Sequence, residues 1–202
     1  MRFQDLAAFF ERLDATSKRL EMFDILADLF RQAAPGDIAP IIYMSQGRLL
    51  PAFHGLEIGM SDKLLTRALA EASQTSPEDV LAHFKKSGDL GTTAETLLAG
   101  RTGEGLTVKQ VYGEFLAIAR TSGEGSVEKK LFNLADLLAT ASPQEAKYIA
   151  RFVMGRLRLG VGDATVLEAL ALAKLGGREF KPELERAYNL CSDLGRIGEL
   201  AS

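Results

Sequence analysis

The chain reads as one unit written twice, the alternative being a coincidence of helix composition. ILADLF (25–30) recurs as NLADLL (133–138), and at the same offset of 108 Ala33 meets Ala141, Pro35 meets Pro143, Ile41 meets Ile149, and Gly47-Arg48-Leu49 meets Gly155-Arg156-Leu157. SGDLGTTAE (87–95) matches CSDLGRIGE (191–199) at an offset of 104, and Phe3, Leu6, Phe10 and Leu13 fall on Val108, Val111, Phe115 and Ile118 at 105. Apolar residues recur at three and four spacing throughout, as in Leu131, Leu134, Leu137 and Leu138, and no alternating strand pattern appears. The expected fold is therefore all-α, with about twelve helices in two similar six-helix halves. The halves, about 1–100 and 101–202, are expected to be related by a pseudo-twofold axis.

The 202 residues, 47% hydrophobic and 25% charged, suffice for one core or two small ones. No apolar run approaches the roughly 18 residues of a membrane span, and the opening MRFQDLAAFF lacks a signal-peptide pattern. The expectation is a cytoplasmic protein with no membrane partner. The single cysteine, Cys191, permits no internal disulfide and reads as a buried, inert thiol. A net charge of −3 argues against a uniformly basic surface, so a polyanion has to be met locally. His54 and His83 lack a metal-ligand spacing.

Local charge is placed unusually at two helix starts. SPED (76–79) and SPQE (142–145) follow the common rule of serine cap, first-position proline and early acid. TSKRL (16–20) instead brings Lys18 and Arg19 into a first turn, and GEGSVEKK (123–130) does the same with Lys129 and Lys130, although Glu128 intervenes. Cations beside free backbone N–H groups suit an external anion better than helix stability. The arginine loops GRLLP (47–51) and GRLRLG (155–160) end equivalent helices. Two readings stay open for them: a left-handed glycine cap with arginine at the negative helix end, or a close approach to an anion. SGDLG and CSDLG read as matched helix caps, with ligand contact the other possibility.

ATSKRLEMFDILADL, SGDLG, GEGSVEKK, KYIARFVMGRLRLGVGDATVLEAL and CSDLG together resemble the N-terminal helical DNA-binding domain of archaeal and eukaryotic ATP-dependent DNA ligases, over essentially all of residues 1–202. The resemblance implies a module that binds nicked double-stranded DNA without reading its sequence, through the minor groove and phosphates, in an enzyme of DNA replication, repair and recombination. Carried over by motif, its contacts are Thr16, Ser17, Lys18 and Arg19; Gly125, Ser126, Lys129 and Lys130; and Gly155, Arg156, Arg158 and Gly160. Gly47 and Arg48 rest on the internal repeat. The adenylation and OB domains of such an enzyme are implied partners, its cofactors are ATP and Mg2+, and a sliding clamp is left open. The Lys-x-Asp-Gly string that would accept AMP does not occur here, so no catalytic residue, cofactor or metal site is expected in this chain. The alternative from another class is a helical protein–protein scaffold without DNA binding.

Overall fold

Serine, threonine and proline set the helix starts. In the computed structural model, which describes residues 1–202, Ser76 and Asp79 form a reciprocal capping box, as do Ser142 with Glu145 and Thr107 with Gln110. Each such cap stabilises its helix by about 1 kcal/mol. The resulting order is α1 (Phe3–Asp14), α2 (Arg19–Gln32), α3 (Ile38–Ser45), α4 (Asp62–Ser73), α5 (Pro77–Ser87), α6 (Leu90–Leu97), α7 (Val108–Arg120), α8 (Ser126–Thr140), α9 (Pro143–Val153), α10 (Asp163–Leu170), α11 (Lys181–Cys191) and α12 (Leu194–Leu200). The only extended pairing is an isolated bridge from Arg2 to Thr107. No helix is long and apolar enough to cross a membrane.

These helices gather into two compact units that differ from the expected halves. Unit 1 holds Met1, Ala8–Gly55 and Arg158–Ser202, and unit 2 holds Arg2–Ala7 and Leu56–Leu157. Each unit therefore draws on both ends of the repeat. In unit 1, α2 packs on α10 and α3 on α12; in unit 2, α8 packs on α4 and α9 on α6.

Each unit has a dry core. Leu26, Leu29, Phe30, Ile41 and Ile42 are fully buried in unit 1, as are Leu65, Leu69, Leu134, Leu138 and Ile149 in unit 2. Phe115 of α7 stacks on Phe152 of α9 with centroids 4.5 Å apart and planes 2° from parallel. Side chains of this size contribute about 1.5–3 kcal/mol each when buried.

The Asp-Leu-Gly motif that the repeat preserves makes the closest helix contact in each unit. In unit 2, Asp89 caps α6, accepting from Gly91 N and Thr92 N, while Arg151 of α9 donates to its carboxylate at 2.9 Å. Leu90 is buried, and a Cβ on Gly91 would stand 2.8 Å from the Lys147 carbonyl oxygen. In unit 1, Asp193 caps α12, and the Tyr43 hydroxyl of α3 donates to it at 2.6 Å. A Cβ on Gly195 would collide with the Tyr43 ring. Structure thus accounts for SGDLG and CSDLG as caps that bind helix to helix.

Cys191 is exposed, contrary to the buried thiol expected, because it ends α11 at a polar turn where its thiol meets the Asp193 carbonyl.

Burial raises the Asp89 carboxyl, but hydrogen bonds from Thr92 N and Oγ1 and from Arg151 outweigh it and hold the group below the ordinary carboxylate range. A value lowered on folding contributes stability above the unfolded value of about 3.9, and that contribution is lost as pH falls through the folded value. Asp89→Asn is therefore expected to lower stability at pH 7 by about 1 kcal/mol and to flatten the acid limb of the stability profile, read by denaturant titration across pH.

Candidate nucleic-acid interface

In unit 1 the chain turns into α2 through Thr16, whose hydroxyl accepts from Lys18 N at 3.1 Å and donates to Glu21 at 2.7 Å. Ser17 and Lys18 are exposed; Lys18 is the N-cap and supplies no side-chain cap bond. Arg19 opens the helix with its guanidinium over the Phe23 ring, 5.5 Å from the centroid. Backbone donors at this helix start are thus left for an outside acceptor, with two cations beside them.

The loop that follows Arg158 meets the same place. Gly160 has φ +69, and a Cβ built there would stand 3.2 Å from the Met22 methyl near the start of α2. Leu159 is buried beside it, while Arg158 is exposed and has neither hydrogen bond nor ion pair. Arg158 is also one of three non-glycine residues with positive φ, at +48°. Such a conformation costs an ordinary side chain about 1–2 kcal/mol. Two residues past Gly160, Gly162 leaves the start of α10 without a side-chain cap. Asp163, the first residue of α10, accepts from Gln46 at 2.8 Å and from the Tyr188 hydroxyl at 2.7 Å, and faces the Arg48 guanidinium at 3.7 Å. Burial first, then the bond to Asp163, pushes the Tyr188 phenol up to about 12.

Unit 2 repeats the arrangement with other residues. Gly125, at φ +73, is the N-cap of α8 and provides no side-chain bond, and Ser126 begins the helix. Lys129 is exposed without a partner at the rim of a hollow of about 400 Å3, which Arg120, Thr121 and Ser126 also line. Lys130 turns inward, donating to the Ile58 carbonyl at 3.1 Å, so it braces the loop before α4 while Lys129 faces solvent. At the far end of α9, the Arg156 guanidinium lies 3.5 Å from Asp62, the first residue of α4.

In the arginine loops the structure bears out the glycine caps and places the arginines elsewhere than the helix ends. Gly47 (φ +70) and Gly155 (φ +62) end α3 and α9 in the left-handed conformation, and the next amides, Arg48 N and Arg156 N, close back on the Tyr43 and Arg151 carbonyls, each at 2.9 Å. The glycines are helix terminators. The guanidinium groups do not answer those helix ends; they reach Asp163 and Asp62, one residue inside the next unit-mate helix.

Unit 1 thus gathers Thr16–Arg19, Gly47, Arg48, Arg158 and Gly160, and unit 2 gathers Gly125, Ser126, Lys129, Lys130, Gly155 and Arg156. Sequence reasoning overlooked Ile58-Gly59 and Arg120. A readable signal existed for the first: IGMSD (58–62) matches LGVGD (159–163) at an offset of 101, and both Gly59 and Gly160 have positive φ. Arg120 closes α7, where a cation looks like an ordinary dipole partner. No cluster of three or more His, Cys, Asp or Glu is placed to hold a metal ion.

A family model described as DNA ligase N terminus matches residues 2–171. "DNA ligase 2" of Thermofilum pendens is 44% identical over 207 residues, covering 96% of this chain and 34% of its own length. "DNA ligase" of Cenarchaeum symbiosum is 41% identical and covers 100% of this chain and 35% of its own. A "Probable DNA ligase" of Dictyoglomus thermophilum is 42% identical, with 99% and 34% covered. The chain spans about a third of the length of these curated relatives.

Strain at Arg158 makes a stability prediction. Arg158→Gly relieves the left-handed backbone while loosening the unfolded chain, for a net gain of up to about 1 kcal/mol. Its melting temperature is expected at or above that of the unaltered protein, whereas Arg158→Val is expected to melt lower.

Proposed function

The chain belongs to the DNA ligase N-terminus family, and from that premise we propose that it is a DNA-binding module that holds nicked double-stranded DNA by its phosphates and minor groove, without reading sequence. The observation that carries this reading is the recurrence, in both units, of an uncapped and cationic helix start beside a glycine loop, with an arginine from the end of another helix nearby. Free N–H groups and Lys or Arg at such a start fit phosphate oxygens. Glycine lets backbone approach a nucleic acid closely, and arginine forks suit phosphate and a narrow groove.

The ion pairs of Arg48 and Arg156 are compatible with this role. Both are exposed, and pairs of that kind contribute at most about 1 kcal/mol, so a phosphate can compete for the guanidinium with little loss. Before binding, Asp163 and Asp62 hold the arginines near the helix starts they are to share with DNA. Arg158 needs no such exchange.

Within the same proposal, the whole protein is an ATP-dependent DNA ligase acting in replication, repair and recombination. Its ATP and Mg2+ are used by adenylation and OB domains outside this chain, and a sliding clamp is a further candidate partner. The internal duplication belongs to the proposal too: α1–α6 and α7–α12 are read as copies of one ancestral unit. A helical protein–protein scaffold is the competing reading.

Titration of nicked duplexes of unrelated sequence between 50 and 200 mM salt separates the two. Phosphate binding gives a log–log slope near −0.9 per contact, and about six contacts cost roughly a thousandfold over that range. Arg156→Ala/Arg158→Ala is expected to melt near the unaltered protein, to weaken binding alike on every sequence, and to flatten the slope by up to about two contacts; Arg48→Ala is expected to weaken binding as well. A salt-independent affinity, or a strong preference for one sequence, would contradict the reading. Incubated with ATP and Mg2+, the chain is expected to yield no lysine-linked AMP by mass spectrometry.

A further inference from the structure

The two copies fall out of register at one place. After Gly47-Arg48-Leu49 the first copy inserts residues 50–57 before Ile58-Gly59, whereas after Gly155-Arg156-Leu157 the second inserts only Arg158 before Leu159-Gly160. The change of offset from 108 to 101 is this insertion, and it interrupts one of the arginine loops.

In unit 1 the extra residues form a firm turn. Pro51 enters it with φ −51° and is buried, Ala52–His54 make a single 3-10 turn, and Gly55 leaves it at φ +60°. His54 N donates to the Pro51 carbonyl at 3.0 Å and Gly55 N to the Ala52 carbonyl at 3.2 Å. Leu50 and Pro51 also wall a cavity of about 200 Å3 bordered by Tyr43, Arg48 and Tyr188, so the turn and Arg48 line the same hollow. At its tip the Phe53 ring is 64% exposed, 4.6 Å from the His54 ring and tilted 35° to it.

A lone exposed phenylalanine ordinarily needs no explanation. This one stands on a turn fixed at both ends, five residues after Arg48, in a segment the other copy lacks. We infer that the Phe53–His54 turn is an aromatic contact to duplex DNA, laying its rings on the deoxyribose and the minor-groove base edges beside the phosphate that Arg48 holds. The inference rests on the DNA-binding reading above. A duplex strand offers an anion and, one sugar along, an apolar face; the loop offers a cation and then two rings. A stable protein partner would need about 800 Å2 on this side, far more than two rings and the rim of a small cavity provide. Contact through rings adds affinity without releasing counterions, and apolar side chains pressed into a minor groove act in this way.

The test uses the full chain, one nicked duplex and salt from 50 to 200 mM. Phe53→Ala is expected to weaken binding by roughly fivefold or more at every salt concentration with the slope unchanged, while Arg48→Ala weakens it and flattens the slope. The chain contains no tryptophan, so Phe53→Trp installs a single fluorophore. That variant is expected to keep its affinity and to become quenched and shielded from acrylamide as duplex saturates it. If Phe53→Ala binds like the unaltered protein, or flattens the slope, or if Phe53→Trp stays open to acrylamide at saturation, the turn is not a DNA contact, although binding weakened by Arg48→Ala would keep the broader reading intact. Failure of the unaltered protein to bind at 50 mM salt would remove both. Should Phe53→Ala melt lower, Phe53→Trp decides alone.

Discussion

Helix α6 can lie against α9, and α12 against α3, only because a glycine stands at each crossing. Any side chain at Gly91 would strike the Lys147 carbonyl and the Arg151 stem, and any at Gly195 the Tyr43 ring. The aspartate two residues earlier then ties the approaching helix start to its neighbour by a charged bond from Arg151 or a neutral one from Tyr43. What these contacts fix is larger than two helix pairs. Helix α9 runs straight into Gly155-Arg156, and α3 into Gly47-Arg48. The direction in which each arginine leaves its helix therefore depends on how closely that helix is held.

The two matched helix crossings solve one problem with different chemistry. Arg151 and Tyr43 occupy matched positions, each reaching the cap of the helix it faces, yet one bond is between full charges and the other is not. Leucines on either side of Arg158 follow the same economy of means: Leu157 and Leu159 are buried, and the arginines between and before them are turned outward. A loop pinned by alternating apolar residues can hold a strained residue such as Arg158 without local support from hydrogen bonds.

Much of this was legible in the amino-acid order. Ser76-Pro77 and Ser142-Pro143 begin helices where short-range rules place them, because a cap needs only residues three apart. Glycines 47 and 155 end helices for the same reason. Lys129 and Lys130 were not distinguishable, since what separates them is a carbonyl at Ile58, far along the chain but adjacent in space. Nor were the pairings of Arg48 with Asp163 and Arg156 with Asp62, each of which joins segments far apart in sequence. Self-similarity reveals that two faces are alike; it is silent about which one each will choose.

That choice has a consequence for a chain made from its N-terminus. Residues 56–157 of unit 2 are all present once Leu157 has emerged, and this unit can close at once around the short segment 2–7 already made. Unit 1 cannot: α2 and α3 are synthesised early, but α10 and α12, on which they pack, follow the whole of unit 2. The apolar faces of α2 and α3 stay uncovered until the segments of α10 and α12 have been made, in the window where exposed surface invites aggregation. Unit 1, begun before unit 2, is completed after it, and synthesis halted once Leu157 had emerged would leave a folded unit 2 trailing two orphaned helices.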